Sequence, residues 1–320
     1  MTIDSFNKHL RLILLSVIGI IFLLTLYTSY RQFIGNNPWT IGDWLINYQG
    51  GFVRRGFFGQ FIYELHLRSG LQLGLIVMGV HWTFYSIFFY FAARIIANEK
   101  APMSVLLLVI SPFIFTYQIH STEGGFRKEI IYLAALAFLS FTASQKKKEH
   151  AHIPFYIIFS IFPLIILSHE MLAIFLPYLF ALYFICYGHQ KKHIITIALF
   201  SLPSMAALAL AMKFQGGSTI VQAITDSLGE NAPSDGAIKW MGYDSRYGFN
   251  QVMYSIKEHN YFLRYLWCFI LASIAFIPFR SRLKELASYP MALLAISSSI
   301  LGTLALSRQR QQLADPAPGN

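Results

Sequence analysis

The sequence predicts an all-α protein, a polytopic transmembrane helix bundle of about nine spans with one further helix lying at the outer membrane face. Three observations carry that expectation. Hydrophobic residues make up 55% of the chain and charged residues only 12%, about half the charged share of a soluble domain. Aromatic residues reach 16%. Apolar runs of about 20 residues recur, the length needed to cross a hydrocarbon core of roughly 30 Å. Backbone groups in lipid must be satisfied within the segment, so these runs are helices.

Taken in order, the expected spans are 11–30, 71–93, 102–119, 129–144, 153–168, 171–187, 193–212, 261–279 and 287–306. They form one transmembrane domain over 1–306, followed by a polar tail at 307–320. Met1 to Arg11 is mildly basic and has no small-residue cleavage site, so the first run reads as a retained helix. Pro112, Pro163, Pro177, Pro203 and Pro278 fall in or at the ends of spans, where neighbouring helices tolerate kinks. Cys186 and Cys268 both lie in apolar runs, and no Cys/His spacing suggests a metal site or a disulfide framework.

Orientation follows from the loops. With the N-terminus in the cytoplasm, the inner segments hold Lys8, Arg11, Arg94, Lys100, Lys146 to Lys148, Lys191, Lys192, Arg280, Arg282 and Lys284 against the acids Asp4, Glu99, Glu149 and Glu285. That excess obeys the positive-inside rule. It also accounts for much of the formal charge of +10 without a nucleic-acid partner.

The outer segments are then 31–70, 120–128, the turn at 168–170, and 213–260. Their polar residues have the composition of a site. The first segment holds Asp43, then Gly50-Gly51-Phe52-Val53-Arg54-Arg55. A guanidinium matches phosphate oxygens bidentately, so Arg54 and Arg55 suit a phosphate. Phe57, Phe58, Phe61, Ile62 and Leu65 share one helical face, which predicts an amphipathic interfacial helix over 57–67. The second segment repeats the pattern as Gly124-Gly125-Phe126-Arg127-Lys128 at the start of a helix. Paired glycines can form an anion-binding nest, and a helix N-terminus adds positive potential. In the same loop, His120 and Glu123 are expected to line the same cavity as substrate-binding residues, and Glu129 suits the dipole of the helix it begins. In the third turn, Ser168 and Glu170 suit the start of the next helix, whereas His169 at a membrane boundary suggests a proton carrier or a phosphate ligand. His81, mid-span beside Trp82, reads as a packed histidine. The fourth segment mixes Trp240, Tyr243 and Tyr247 with carboxylates. Flat rings and hydroxyl-accepting carboxylates suit a sugar, and the same mixture suits an interfacial belt.

In this layout the chain resembles the C-class membrane glycosyltransferases, the GT-C fold. The resemblance covers the first six spans in arrangement. It implies an active site at the outer face of a bacterial-type inner membrane, a polyprenyl-phosphate-linked sugar as donor and a glycan acceptor in surface polysaccharide assembly. In that family an acidic residue soon after the first span acts as base or orients the acceptor; here that is Asp43, which stands alone where many members carry two acids. Basic residues of later outer loops hold the donor phosphate, a role falling to Arg127 and Lys128. His169 and Glu170 would close the site or share the proton work. A related layout occurs in polymerases that join lipid-linked glycan units. No cofactor is expected, and no ligand spacing supports a divalent metal. The alternatives are a transporter or lipid-linked glycan flippase, which calls for mid-span charges and an internal repeat, and a non-catalytic envelope scaffold, which calls for scattered outer charges.

Overall fold

A computed structural model describes residues 3–98, 102–110, 115–145 and 152–243, with scattered positions between 247 and 270. Every regular element among the described residues is helical. In chain order they are α1 (Ile3–Ile34), α2 (Gly42–Leu45), α3 (Gly56–Ser69), α4 (Leu73–Ala97), α5 (Pro102–Ile110), α6 (Tyr117–His120), α7 (Thr122–Gly125), α8 (Glu129–Ser144), α9 (His152–Ser168), α10 (Leu176–Tyr187), α11 (Lys191–Lys213), α12 (Ser218–Leu228) and α13 (Ala237–Trp240). A 3-10 turn over Glu170–Phe175 leads into α10.

Four stretches are long and apolar enough to cross a membrane: Asp4–Ile34, Leu73–Ala97, Glu170–Tyr187 and Lys191–Lys213. α8 and α9 are apolar but shorter. The expected 102–119 span is helical over α5 and again over α6, with a turn at 115–116 between them among the described residues. The expected spans over 261–279 and 287–306, the tail 307–320 and Cys268 fall almost wholly outside the described residues, as do Pro112 and Pro278. Pro163 and Pro203 lie inside α9 and α11. Pro177 sits in the first turn of α10, where the missing N–H costs no helical hydrogen bond, so no kink follows there.

The core lies between α1, α4, α8 and α9, where Leu14, Ile18, Val77, Phe89, Leu139 and Phe162 are buried. Outward-facing Leu12, Leu23, Leu199 and Leu202 stay exposed, as expected of helices whose other face meets lipid. Some polar side chains inside the bundle are bonded to one another across helices. Gln118 Nε2 donates to Thr25 Oγ1 at 2.7 Å and to the Phe115 carbonyl at 2.7 Å. His81 is fully buried against Trp44 and Phe126, with Nδ1 3.2 Å from Ser29 Oγ, which is the packed histidine the sequence suggested.

The segments that follow or precede the helix ends near 34, 73, 129, 168 and 213 come together, and Arg55 reaches Glu170 across 115 residues. Contacts between the intervening segments record this. Trp44 Nε1 donates to the Phe126 carbonyl at 2.8 Å, Arg54 N to the Phe214 carbonyl at 2.8 Å, and Asn47 Nδ2 to Ser227 Oγ at 3.2 Å. The four segments that the sequence put on one side thus meet.

α3 covers the expected amphipathic stretch, but its apolar residues divide. Ile62 is buried, while Phe61 and Leu65 are exposed. Between α3 and α4 they line an open apolar groove of about 460 Å³ that also touches Phe58, Leu75, Val80 and Phe84.

Candidate functional site

The site is assembled by close backbone approaches. α3 packs onto α2 because residue 59 is glycine: a Cβ there would stand 1.8 Å from the Ile46 carbonyl oxygen. Gly56 lies equally close under the Tyr48 ring, 2.2 Å from a notional Cβ. Arg55, just before α3, has φ of 67°, in the left-handed region. That conformation accompanies a carbonyl turned to Lys128, whose Nζ donates to it at 2.8 Å. α8 begins at the next residue.

Around these backbone contacts gather Asp43, Arg54, Arg55, Arg127, Lys128, Glu129, His169 and Glu170. Asp43 is 1% exposed, Lys128 0%, His169 1% and Glu170 6%. Ionised groups this deep are kept only when paired or used. Glu170 is paired: Arg55 Nη2 donates to Oε1 at 2.7 Å and Arg55 Nε to Oε2 at 2.9 Å, a bidentate fork. Arg54 Nη1 donates to the same Oε1 at 3.3 Å.

Asp43 is different. Its nearest cationic nitrogen is Arg55 Nη1, 3.7 Å from Oδ1. Neither carboxylate oxygen accepts a hydrogen bond among the described residues. Burial opposes its ionisation, but Lys128 first, then His169, Arg127 and Arg55, outweigh that cost and hold the carboxyl below its usual range. It is therefore a carboxylate with vacant acceptor lone pairs in a positive field.

The cations respond in kind. Burial pushes the Lys128 ammonium down to about 8, with Asp43 opposing the shift and Arg55 adding to it. Burial also works against the charge on Arg55, but the bonded Glu170 carboxylate raises its pKa above the ordinary value. Burial lowers His169 to about 3, with Arg55 adding to the shift, so its ring is neutral at pH 7. Arg127 Nη2 lies 3.1 Å from His169 Nε2. A guanidinium only donates, so Nε2 is the acceptor and the proton sits on Nδ1. That buried Nδ1–H has no hydrogen-bond partner among the described residues. A vacant acceptor on Asp43 and a vacant donor on His169 together suit a hydroxyl, which both donates and accepts.

Three expectations change. Arg55, expected to meet a phosphate, is held in the Glu170 fork, and Arg54 shares that carboxylate through Nη1 at 3.3 Å. Gly124 and Gly125 form no anion nest. They lie in the α7 turn, Gly125 N donates to the Ser121 carbonyl at 2.7 Å, and a Cβ on Gly125 would stand 2.2 Å from Gln118 Cα. These glycines serve helix–helix proximity. Ser168 does not cap the following turn, since its hydroxyl donates back to the Leu164 carbonyl at 2.7 Å.

The structure thus brings Asp43, Arg54, Arg55, Arg127, Lys128, His169 and Glu170 together. His120 and Glu123 are exposed on α6 and α7, with no hydrogen bond or ion pair to this cluster among the described residues. Trp240 and Tyr243 belong to a separate aromatic group with Trp39 and Tyr247. Glu129, read from sequence as a partner of its helix dipole, joins the cluster with Oε1 3.7 Å from His169 Nε2. The clasp by Trp44 left no sequence signal beyond an aromatic residue beside Asp43. Among the described residues, no group of three or more His, Cys, Asp or Glu side chains could hold a metal ion.

Comparison with known protein families, curated proteins and solved structures finds no match.

Proposed function

We propose that this chain is a membrane glycosyltransferase that moves a sugar from a polyprenyl-phosphate carrier to a hydroxyl of a glycan acceptor at the outer face of a bacterial-type inner membrane. The single observation behind this reading is Asp43: a buried carboxylate with both oxygens unbonded, set among cations that two separate chain segments contribute, Arg55 from one and Arg127 and Lys128 from the other. A purely structural carboxylate at that depth would be bonded, as Glu170 is.

In the proposed reaction the acceptor hydroxyl donates to Asp43 and accepts from His169 Nδ1–H. Its oxygen bonds to the anomeric carbon as the carbon–phosphate-oxygen bond breaks. The proton passes to Asp43 and the electron pair leaves on the lipid phosphate. Because its pKa is low, Asp43 takes the proton late, when bond formation has made the hydroxyl acidic. Arg127 and Lys128 stabilise the charge that develops on the departing phosphate. The groove between α3 and α4 lies beside this centre, since Phe58 and Phe84 both pack on the Trp44 ring. Its apolar walls suit the hydrocarbon chain of the carrier, and α3 would lie along the membrane surface. Convergence of the charges from distant segments favours a site over a scaffold.

The test is Asp43→Asn in cells that depend on this chain for a surface glycan. Glycan size profiles and extracted polyprenyl-linked intermediates are measured together. The variant, present in the membrane at the wild-type level, should make no product and accumulate donor. A normal glycan profile would remove Asp43 from the reaction and with it the assignment.

A further inference from the structure

A second feature stands one helical turn from Asp43. The Asp43 N–H donates to the Trp39 carbonyl at 3.2 Å, an i to i−4 bond in the turn that leads into α2, and a helical rise over four residues is about 6 Å. Trp39 begins a shelf of aromatic rings. Trp240 lies 5.5 Å from it between centroids, Tyr243 follows at 6.4 Å from Trp240, and Tyr247 lies 4.3 Å from Tyr243. Tyr243 is 40% exposed and Tyr247 42%.

The chain builds this shelf from segments some two hundred residues apart. Gly236 has φ of 89°, and a Cβ there would stand 2.2 Å from the Pro38 carbonyl oxygen. Ala237 N donates to that same carbonyl at 3.3 Å, which pins α13 beside Pro38 and lays Trp240 on Trp39. Gly42 completes the seat, with Pro233 and Ala237 in van der Waals reach of its Cα face. Lipid-anchoring aromatics need no such clasp, since each can enter the interface from its own helix end. Exposed Glu230, Asp235 and Lys239 come from the same segment and give its surroundings hydroxyl-binding groups.

Aromatic faces are negative and apolar. They suit the C–H faces of pyranose rings, whose equatorial hydroxyls point sideways to polar neighbours. The spacing of about one helical turn is near the length of one sugar unit. We infer that the Trp39–Trp240–Tyr243 shelf is an acceptor subsite, and that the acceptor is a saccharide chain of at least two units, the terminal hydroxyl at Asp43 and the preceding ring on the shelf. The inference rests on the glycosyltransferase reading and narrows its acceptor.

The full chain in lipid nanodiscs is applied to an array of defined bacterial-type saccharides of one to four units. Retention should appear only at two units or more. Trp240→Ala should lower it about ten-fold, the size of a lost aromatic contact with its buried area. Tyr243→Ala, at an exposed position, should lower it similarly, and Trp240→Phe should restore part. Asp43→Asn, which keeps one acceptor oxygen, should still need two units for retention while losing transfer. No retention, equal retention of single sugars, or unchanged retention in Trp240→Ala and Tyr243→Ala would each overturn the subsite. So would quenching of the Trp240 emission, taken as wild type minus Trp240→Phe, by brominated acyl chains, because the rings would then be lipid anchors. Normal transfer by Asp43→Asn with array binding intact would instead defeat the glycosyltransferase reading alone.

Discussion

Replacing Glu170 with glutamine separates a structural ion pair from an open phosphate site. In the native chain the Glu170 carboxylate is bonded at both oxygens by Arg55 and at one by Arg54. Removing one partner from a buried pair costs about 3–5 kcal/mol, mostly from the charge left behind. Two features reduce the cost here. The Arg55 side chain is 18% exposed, so water screens part of its charge, and Asp43 remains 3.7 Å from Nη1. Glutamine also keeps one acceptor oxygen. The expected loss is therefore about 2–3 kcal/mol, read as a fall of roughly 5–10 °C in the unfolding midpoint. The assay is thermal unfolding of detergent-solubilised protein at a fixed scan rate, since such unfolding is often irreversible. Arg55→Gln alone should cost a similar amount, and the double variant should cost less than the two together, because each change removes the partner of the other. An unchanged midpoint in Glu170→Gln, or strictly additive losses, would refute the pairing and leave Arg54 and Arg55 open to a ligand.

The buried bases make two pH predictions with the same sign. Lys128 titrates at about 8 when folded against 10.5 ordinarily, so between those values the unfolded chain binds the extra proton and stability should rise with pH; Lys128→Met should flatten that rise, while transfer should decline through about pH 8 as the folded ammonium is lost. His169 titrates at about 3 against 6.5, so stability should fall as pH drops below 6.5, and unfolding midpoints of His169→Gln should lack that slope. Two glycines separate packing from propensity. Gly59→Ala meets the Ile46 carbonyl and should cost about 3 kcal/mol or prevent folding, whereas Gly79→Ala meets nothing within 4 Å and should gain up to about 1 kcal/mol in α4; equal midpoints for the two would contradict the close approach of α3 to α2.

The helical membrane class was legible in the sequence, and the reason is local. A run of apolar residues long enough to cross lipid specifies a helix whatever surrounds it, as at 11–30 and 193–212. Alternation of those runs also grouped the polar segments 31–70, 120–128, 168–170 and 213–260, and contacts such as Trp44 to Phe126, Arg55 to Glu170 and Arg54 to Phe214 bring them together. The break between α5 and α6 was less legible, since 102–119 is apolar almost throughout. The division of α3 between core and groove also depends on neighbours: Ile62 and Phe61 are adjacent in sequence and equally apolar, yet only the first meets the bundle.

By itself, then, the sequence determined the kind of protein and the residues that could form a site, because hydrophobicity, helix length and charge are properties of short segments. Only the tertiary structure decided which of those residues meet. Arg55 and Glu170 are separated by 115 residues and form a bidentate fork. Nothing in either segment encodes that pairing. The resemblance singled out Asp43 as the acid after the first span, but nothing in its own segment shows what surrounds it. It became the centre of the site because Gly59, the left-handed Arg55 and the Trp44–Phe126 clasp bury it among cations without giving it a hydrogen bond. Burial and partner geometry come from contacts between segments far apart in the chain, and those contacts exist only in the folded protein.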